Sequence, residues 1–251
     1  AEHAKDKVIM ITGSNTGIGK ETAKQLLAAG ATVIMACRSE SRAKEAMEDI
    51  LHFIEKNDKK KHASEASTLI NNNSKSPRER LFFVQCDVSD YSSVRKSVKA
   101  FQDMKLPLHV LINNAGLMMG TRKENNTQNR HELMMSANYL GHFLLTNLLL
   151  PILQRNNGRV VVVTSSTYAL ANEGIDLEDL NCEERKYTMF SQYAQSKLAN
   201  ILMGKELDRR EKERFKVESE LQTSGKETTK PVKVYNVHPG LVRTDVVRNM
   251  P

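Results

Sequence analysis

Hydrophobic and polar positions along the chain fall into two alternating rhythms. Short β-branched, largely apolar runs occur at Val8–Thr12, Thr32–Ala36, Leu81–Cys86, Val110–Asn113, Val160–Thr164 and Val232–Val237. Several are apolar throughout, as strands buried on both faces must be. Between them lie stretches of helical periodicity, among them Gly19–Ala29, Val94–Phe101, Asn138–Leu150 and Gln192–Arg210. Strand–helix alternation predicts an α/β fold, a parallel sheet with helices on both faces. Two stretches interrupt the rhythm. Residues 56–80 contain KNDKKKH and NNNSKSP, and residues 210–230 are rich in Lys, Glu, Ser and Thr. Both are expected to be polar surface insertions, flexible or partly disordered, in one domain spanning residues 1–251.

Charge changes this picture little. The net charge is +7, but residues 56–80 hold seven Lys/Arg against three Asp/Glu, more than half of the excess. That stretch has no aromatic residue to stack on a base, so a solvated insertion is expected and nucleic acid is not an expected partner. Cys37, Cys86 and Cys182 are far apart and form no CxxC, which predicts free thiols in a reducing compartment and no metal site. No run of 18 apolar residues exists; the longest, Phe143 to Leu153, is interrupted by Thr146, Asn147 and Pro151. No secretory signal is visible at Ala1. The expected location is cytoplasmic. The absent initiator Met suggests a processed start and leaves an upstream anchor open.

Candidate chemistry begins where the first strand runs into Thr12-Gly13-Ser14-Asn15-Thr16-Gly17-Ile18-Gly19 and then a helix. Gly13 permits a sharp exit from the strand, Gly17 lets the backbone approach a pyrophosphate, and Gly19 lets the helix pack closely on the sheet. The helix N-terminus offers free N–H groups to the phosphates. This placement makes the sheet a Rossmann-type doubly wound one, although a plain glycine-rich turn has the same composition. The second strand leads into Arg38, with Arg42 one helical turn on. An acidic residue there would hold ribose hydroxyls; a guanidinium instead suits a 2′-phosphate, so NADP(H) is favoured over NAD(H). Tyr193 and Lys197 form the only Y-x-x-x-K in the chain, and on a helix they share one face. A nearby ammonium is expected to lower the phenol pKa, letting Tyr193 give or take a proton. The fifth strand ends in Ser165-Ser166, at the sheet edge where sites are built, though either serine serves equally well as a turn cap. His142 is expected to be structural.

The G-x-x-x-G-x-G spacing, the Y-x-x-x-K pair and the strand-end serines, in this order, are similar to those of the short-chain dehydrogenase/reductase family. With ACRS, SKLANIL and HPGLVRTD, the chain most resembles its retinol-dehydrogenase-like branch, which includes the oxidoreductase domain of WW-domain oxidoreductases. The resemblance runs from about Lys7 to Asp245. It implies that Ser166, with Ser165 as the alternative, bonds the substrate oxygen, and that Asn138 holds a water linking Lys197 to solvent. It implies that Asp87 and Val88 meet the adenine side of the coenzyme and that Asn114, Ala115 and Gly116 form a cofactor-side wall. Pro239 and Gly240 shape a loop whose Val242 and Thr244 would meet the nicotinamide carboxamide, and Tyr193 and Lys197 also touch the coenzyme. The implied activity is NADP(H)-dependent carbonyl reduction or alcohol oxidation on an apolar retinoid-, steroid- or quinone-like substrate. The alternatives are a non-enzymatic NADP(H)-binding sensor or scaffold and a nucleic-acid module using the basic insert; intact proton-transfer residues speak against the first. Met118, Met119, Met189 and Phe190 either line a substrate pocket or belong to the core. The resemblance allows a homodimer through the helices of Asn138 and Tyr193. The chain stops seven residues after Thr244, where relatives continue, so a truncated C-terminus is expected.

Overall fold

Six parallel strands form one sheet: β1 (Val8–Thr12), β2 (Thr32–Cys37), β3 (Leu81–Gln85), β4 (Val110–Asn113), β5 (Arg159–Val163) and β6 (Lys233–Val237). The computed structural model describes residues 2–64, 75–125, 130–221, 230–240 and 242. Strand order is β3-β2-β1-β4-β5-β6, so the winding direction reverses between β1 and β4. Register follows the apolar pattern, with Met10 beside both Ile34 and Leu111. Because side chains alternate across a strand, β1 sends Met10 to one face and Ile9 and Ile11 to the other. On the first face α3 (Tyr91–Asp103) and the later helices pack through Phe101, Leu145 and Leu149. On the second, α1 (Gly17–Ala28) and α2 (Glu40–Ser64) pack through Ala23, Leu27 and Ile50. Both faces of the sheet's centre are therefore dry, which explains its unbroken apolar runs.

The helix carrying Asn138 is not uniform. A short α4 (Leu133–Met135) passes through a π turn, Ser136–Leu140, into α5 (Gly141–Arg155). A Cβ on Gly141 would lie 1.7 Å from the Val88 main-chain oxygen, so only glycine lets this helix approach the β3–α3 connection. The segment Leu133–Arg155 is long and apolar enough to cross a membrane by length and composition alone, although the sequence showed no unbroken run. Here Leu145, Leu149 and Leu153 are fully buried in the sheet core, and Pro151 sits inside the helix rather than ending it.

The described residues of both expected insertions form regular structure. α2 continues to Ser64, and Pro77–Arg80 forms a 3-10 turn, capped by Ser76, whose Arg80 guanidinium donates to the Leu27 and Ala31 carbonyls. Residues 65–74 lie outside the described residues. α6 (Met189–Leu221) runs eleven residues past Arg210, because its Lys/Glu richness is an i,i+3 and i,i+4 ladder. Arg209 pairs with Glu206 and Glu213, and Arg214 with Glu211 and Glu218. Glu211 is buried and also accepts hydrogen bonds from Gln154 Nε2 and the Val232 N–H. Polar composition marked this stretch as loop; its spacing makes it helix. Residues 222–229 lie outside the described residues. Cys37, Cys86 and Cys182 are buried free thiols.

Candidate active site

A cleft of about 690 Å³ opens at the carboxyl edge of the sheet, at the β1/β4 reversal where ligands bind in such folds. Its floor is the turn after β1. Gly13 and Gly17 have φ of +65° and +53°, a region costly for any side chain. A Cβ on Gly19 would fall 2.5 Å from Asn114 Nδ2 and 2.6 Å from the Gly13 oxygen, so the turn is pressed against the β4 exit. Asn114 Nδ2 donates to the Thr12 carbonyl at 2.8 Å and fastens the two strand ends. Asn15, Thr16, Gly17, Ile18 and Gly19 face the cleft. Ser14 does not: its side chain is fully buried, donating to the Ile11 carbonyl at 3.0 Å. The Ser14 side chain therefore makes its bond beneath the turn and not into the cleft.

Arg38, Ser39 and Arg42 line one end of the cleft. The Arg38 side chain is 63% exposed, with Asp87 at 3.9 Å as a loose partner. Asp87 and Val88 line the cleft, and the Asp87 carboxylate takes hydrogen bonds from the Ser89 N–H and hydroxyl. Ala115 and Gly116 continue the wall beyond Asn114. At the other end lie Pro239, Gly240 (φ +79°) and Val242. Thr244 lies outside the described residues.

Tyr193 and Lys197 rise from the first turns of α6 into the same cleft. Lys197 is buried, its Nζ donating to the Val163 carbonyl at 3.0 Å and standing 5.5 Å from the Tyr193 ring centroid. Burial pulls its pKa down to about 8. The phenol behaves differently from expectation. Burial dominates and raises the Tyr193 pKa above its ordinary value, and the hydrogen bond from Ser165 pulls it back only in part. The serine assignment also changes. Ser165 faces the cleft on the Tyr193 side, its hydroxyl 2.8 Å from Thr167 Oγ1, whereas Ser166 is exposed and opens the 3-10 turn Ser166–Leu170. The reason is local. The Thr164 N–H still pairs with the Val237 carbonyl, so Ser165 is the first residue free of the sheet and caps the next turn, accepting from the Thr167 N–H. Ser166, predicted as the substrate-bonding serine, is turned outward by that turn.

Asn138 sits behind this group, fully buried. Its Oδ1 accepts from the Leu117 N–H at 2.9 Å, and its Nδ2 donates to the Leu117 carbonyl and to Ser196 Oγ, both at 3.0 Å. A Cβ on Gly116 would lie 3.5 Å from Asn138 Oδ1 and 3.6 Å from Lys197 Nζ, so both side chains converge on that glycine. The apolar wall contains Met118, Met119, Leu133 and Phe190. Met118 and Met119 also pack with Met134 and Tyr193 as core, so the two readings of these methionines are both met. Met189 packs against that cluster but does not line the cleft. Ser39, Lys123 and Thr167 were missed; Ser39, directly after the strand-ending Arg38, carried the one legible signal, a cap position.

The glycine cradle, the exposed guanidinium groups and the buried phenol–amine pair together fit a nicotinamide dinucleotide. Residues 7–66 and 52–175 match the family described as short chain dehydrogenase. The chain belongs to that family of oxidoreductases. Within it, the chain is similar to human retinol dehydrogenase 11, 38% identical over 244 residues and 97% of this chain. Human polyprenol dehydrogenase is 36% identical over 251 residues, 98% of this chain. The chain spans 63% of the length of each. A crystal structure of an uncharacterised protein from Mycobacterium paratuberculosis is 32% identical, with a TM-score of 0.66 over 98% of this chain and 72% of that one.

Proposed function

We propose that this chain is an NADP(H)-dependent oxidoreductase acting on apolar alcohols and carbonyls, of the size and character of the retinols and polyprenols after which its relatives are named. One observation carries the reading: Ser165, Tyr193 and the buried Lys197 line the same cleft as the β1 glycine turn. Arg38 and Arg42 would hold a 2′-phosphate, the N–H groups at the start of α1 a pyrophosphate, and the Gly116 side the nicotinamide. When bound, that group supplies or accepts the hydride. Ser165 and Tyr193 bond the substrate oxygen. In reduction, Tyr193 gives its phenolic proton to that oxygen, and its raised pKa keeps the proton in place until needed. Lys197, cationic below about pH 8, steadies the phenolate left behind. Met118, Met119 and Phe190 exclude water from an apolar chain.

The test is coenzyme oxidation followed with retinal, a long-chain polyprenal, a steroid ketone and a quinone, using NADPH and NADH in parallel. NADPH should be preferred, and Tyr193→Phe should abolish turnover while coenzyme affinity stays within about twofold. Calorimetry finding no affinity for either coenzyme, or full activity in Tyr193→Phe, would overturn the reading.

A further inference from the structure

His142 is fully buried one turn after Asn138, and the chemistry above leaves it unused. Its hydrogen bonds fix its tautomer. Nδ1 lies 3.0 Å from the Asn138 main-chain oxygen, which only accepts, so Nδ1 bears the hydrogen. Nε2 is then an acceptor, 2.9 Å from Thr12 Oγ1. The Thr12 hydroxyl already accepts from the Asn114 and Ala115 N–H groups, each at 2.9 Å, which leaves its own hydrogen for Nε2. Every link has one donor and one acceptor. Burial reinforces the neutral ring, pulling the imidazole pKa down to about 4.

This chain of bonds joins two walls of the cleft. At one end are the N–H groups of Asn114 and Ala115, on the coenzyme side. At the other is Asn138, whose side chain holds Leu117 and Ser196, and Ser196 in turn donates to the Tyr193 carbonyl at 2.8 Å. Asn138 also lies inside the π turn, where the Gly141 N–H reaches back to Ser136 and the usual i,i+4 pairing is interrupted. The imidazole gives the Asn138 carbonyl a fixed partner there.

We propose that His142 is a positioning residue for hydride transfer: as the Nδ1–H tautomer bridging Thr12 and Asn138, it locks the π turn that aims Asn138 between the Leu117 loop and the α6 turn bearing Tyr193 and Lys197. The proposal rests on the catalytic reading above. A histidine that merely fills core volume would be replaceable by any apolar ring. The bridging role predicts instead that the donor at Nδ1 is what counts. In either variant below, Thr12 keeps the Ile112 carbonyl at 3.4 Å as an alternative acceptor.

The experiment compares His142→Phe and His142→Asn in the full chain. Asparagine places an N–H donor near the position of Nδ1; phenylalanine places none. His142→Phe should lose about tenfold or more in kcat, with coenzyme KM within roughly twofold, and His142→Asn should recover at least about a third of the parent kcat. A His142→Phe kcat within about twofold of the parent, or equal losses in both variants, would overturn the proposal. A second readout needs no turnover. The Asn138 side-chain amide resonances should move in His142→Phe and hold near their parent positions in His142→Asn; unmoved resonances in the phenylalanine variant defeat the idea. If the parent oxidises no coenzyme with any substrate, the catalytic reading has failed, and the amide resonances still decide the placement. If His142→Phe does not fold, nitrogen-15 shifts of the parent imidazole decide: hydrogen on Nε2 sinks the bridge, and hydrogen on Nδ1 with an unshifted Asn138 amide in His142→Asn upholds it.

Discussion

Replacing Lys197 by methionine should make the protein more stable and inactive at once. The lysine is 3% exposed and its Nζ donates to the Val163 carbonyl. Its pKa falls from 10.5 to about 8 because burial disfavours the ammonium. At ~1.4 kcal/mol per pH unit, that displacement corresponds to about 3 kcal/mol of folding free energy lost while the group is charged. Methionine fits the same volume without charge, but it leaves the Val163 carbonyl without this donor, which costs about 1 kcal/mol. The net gain is about 2 kcal/mol, a rise in Tm of about 5 °C for a chain of this size. The pH dependence follows from the direction of the shift. Between about 8 and 10.5 the unfolded chain binds the proton more tightly, so parent stability rises with pH across that window. The loss is fully present below about pH 8 and absent above 10.5. The variant's advantage should therefore be full at pH 7 and gone by about pH 11. Urea unfolding of both proteins, coenzyme-free, at pH 7, 9 and 11 measures it. A variant less stable than the parent at pH 7, or an advantage that does not change with pH, would show that burial is not what depresses this lysine.

Further outcomes follow from the same geometry. Ser165→Ala should lower kcat by about 10²–10³, as removal of a donor to developing negative charge does, while Ser166→Ala stays within roughly twofold; steady-state kinetics that rank the two serines in reverse would restore the outward residue to the site. Arg38→Leu combined with Arg42→Leu should raise KM for NADPH by about 10²–10⁴-fold and leave NADH nearly unchanged, since each of the two lost charge-assisted bonds removes about 1.5–3 kcal/mol; equal effects on both coenzymes would place the 2′-phosphate elsewhere. Gly141→Ala should cost about 3 kcal/mol or more in chemical denaturation, because its methyl would overlap the Val88 carbonyl, whereas a cost under about 1 kcal/mol would mean the helix slides away freely.

Some of the site was legible because the chemistry needs particular residues at short spacing. Three glycines between a strand and a helix, and a phenol four residues before an amine, are local patterns, and both lie where they were expected. The errors arose where a side chain's direction depends on what the backbone does next. Ser165 and Ser166 differ only in which one leaves the sheet first, and pairing of Thr164 with Val237 decides that from 73 residues away. Ser14 sits inside a predicted binding turn, yet turns inward to Ile11. The charged residues after Arg210 looked like a loop by composition, while their partners at three and four residues make a helix.

The linear pattern alone determined the order of strands and helices, the placement of the glycine turn and the pairing of Tyr193 with Lys197, because each depends on contacts within a few residues. Tertiary structure decided the rest: which serine faces the phenol, how burial moves the lysine and tyrosine pKa values in opposite directions, and that His142 ties Thr12 to Asn138. Those outcomes depend on solvent exclusion and on bonds between strands and helices more than a hundred residues apart, such as the 130-residue separation of Thr12 and His142. No local window of sequence carries that information, since desolvation is a property of the packed core and not of any segment in it.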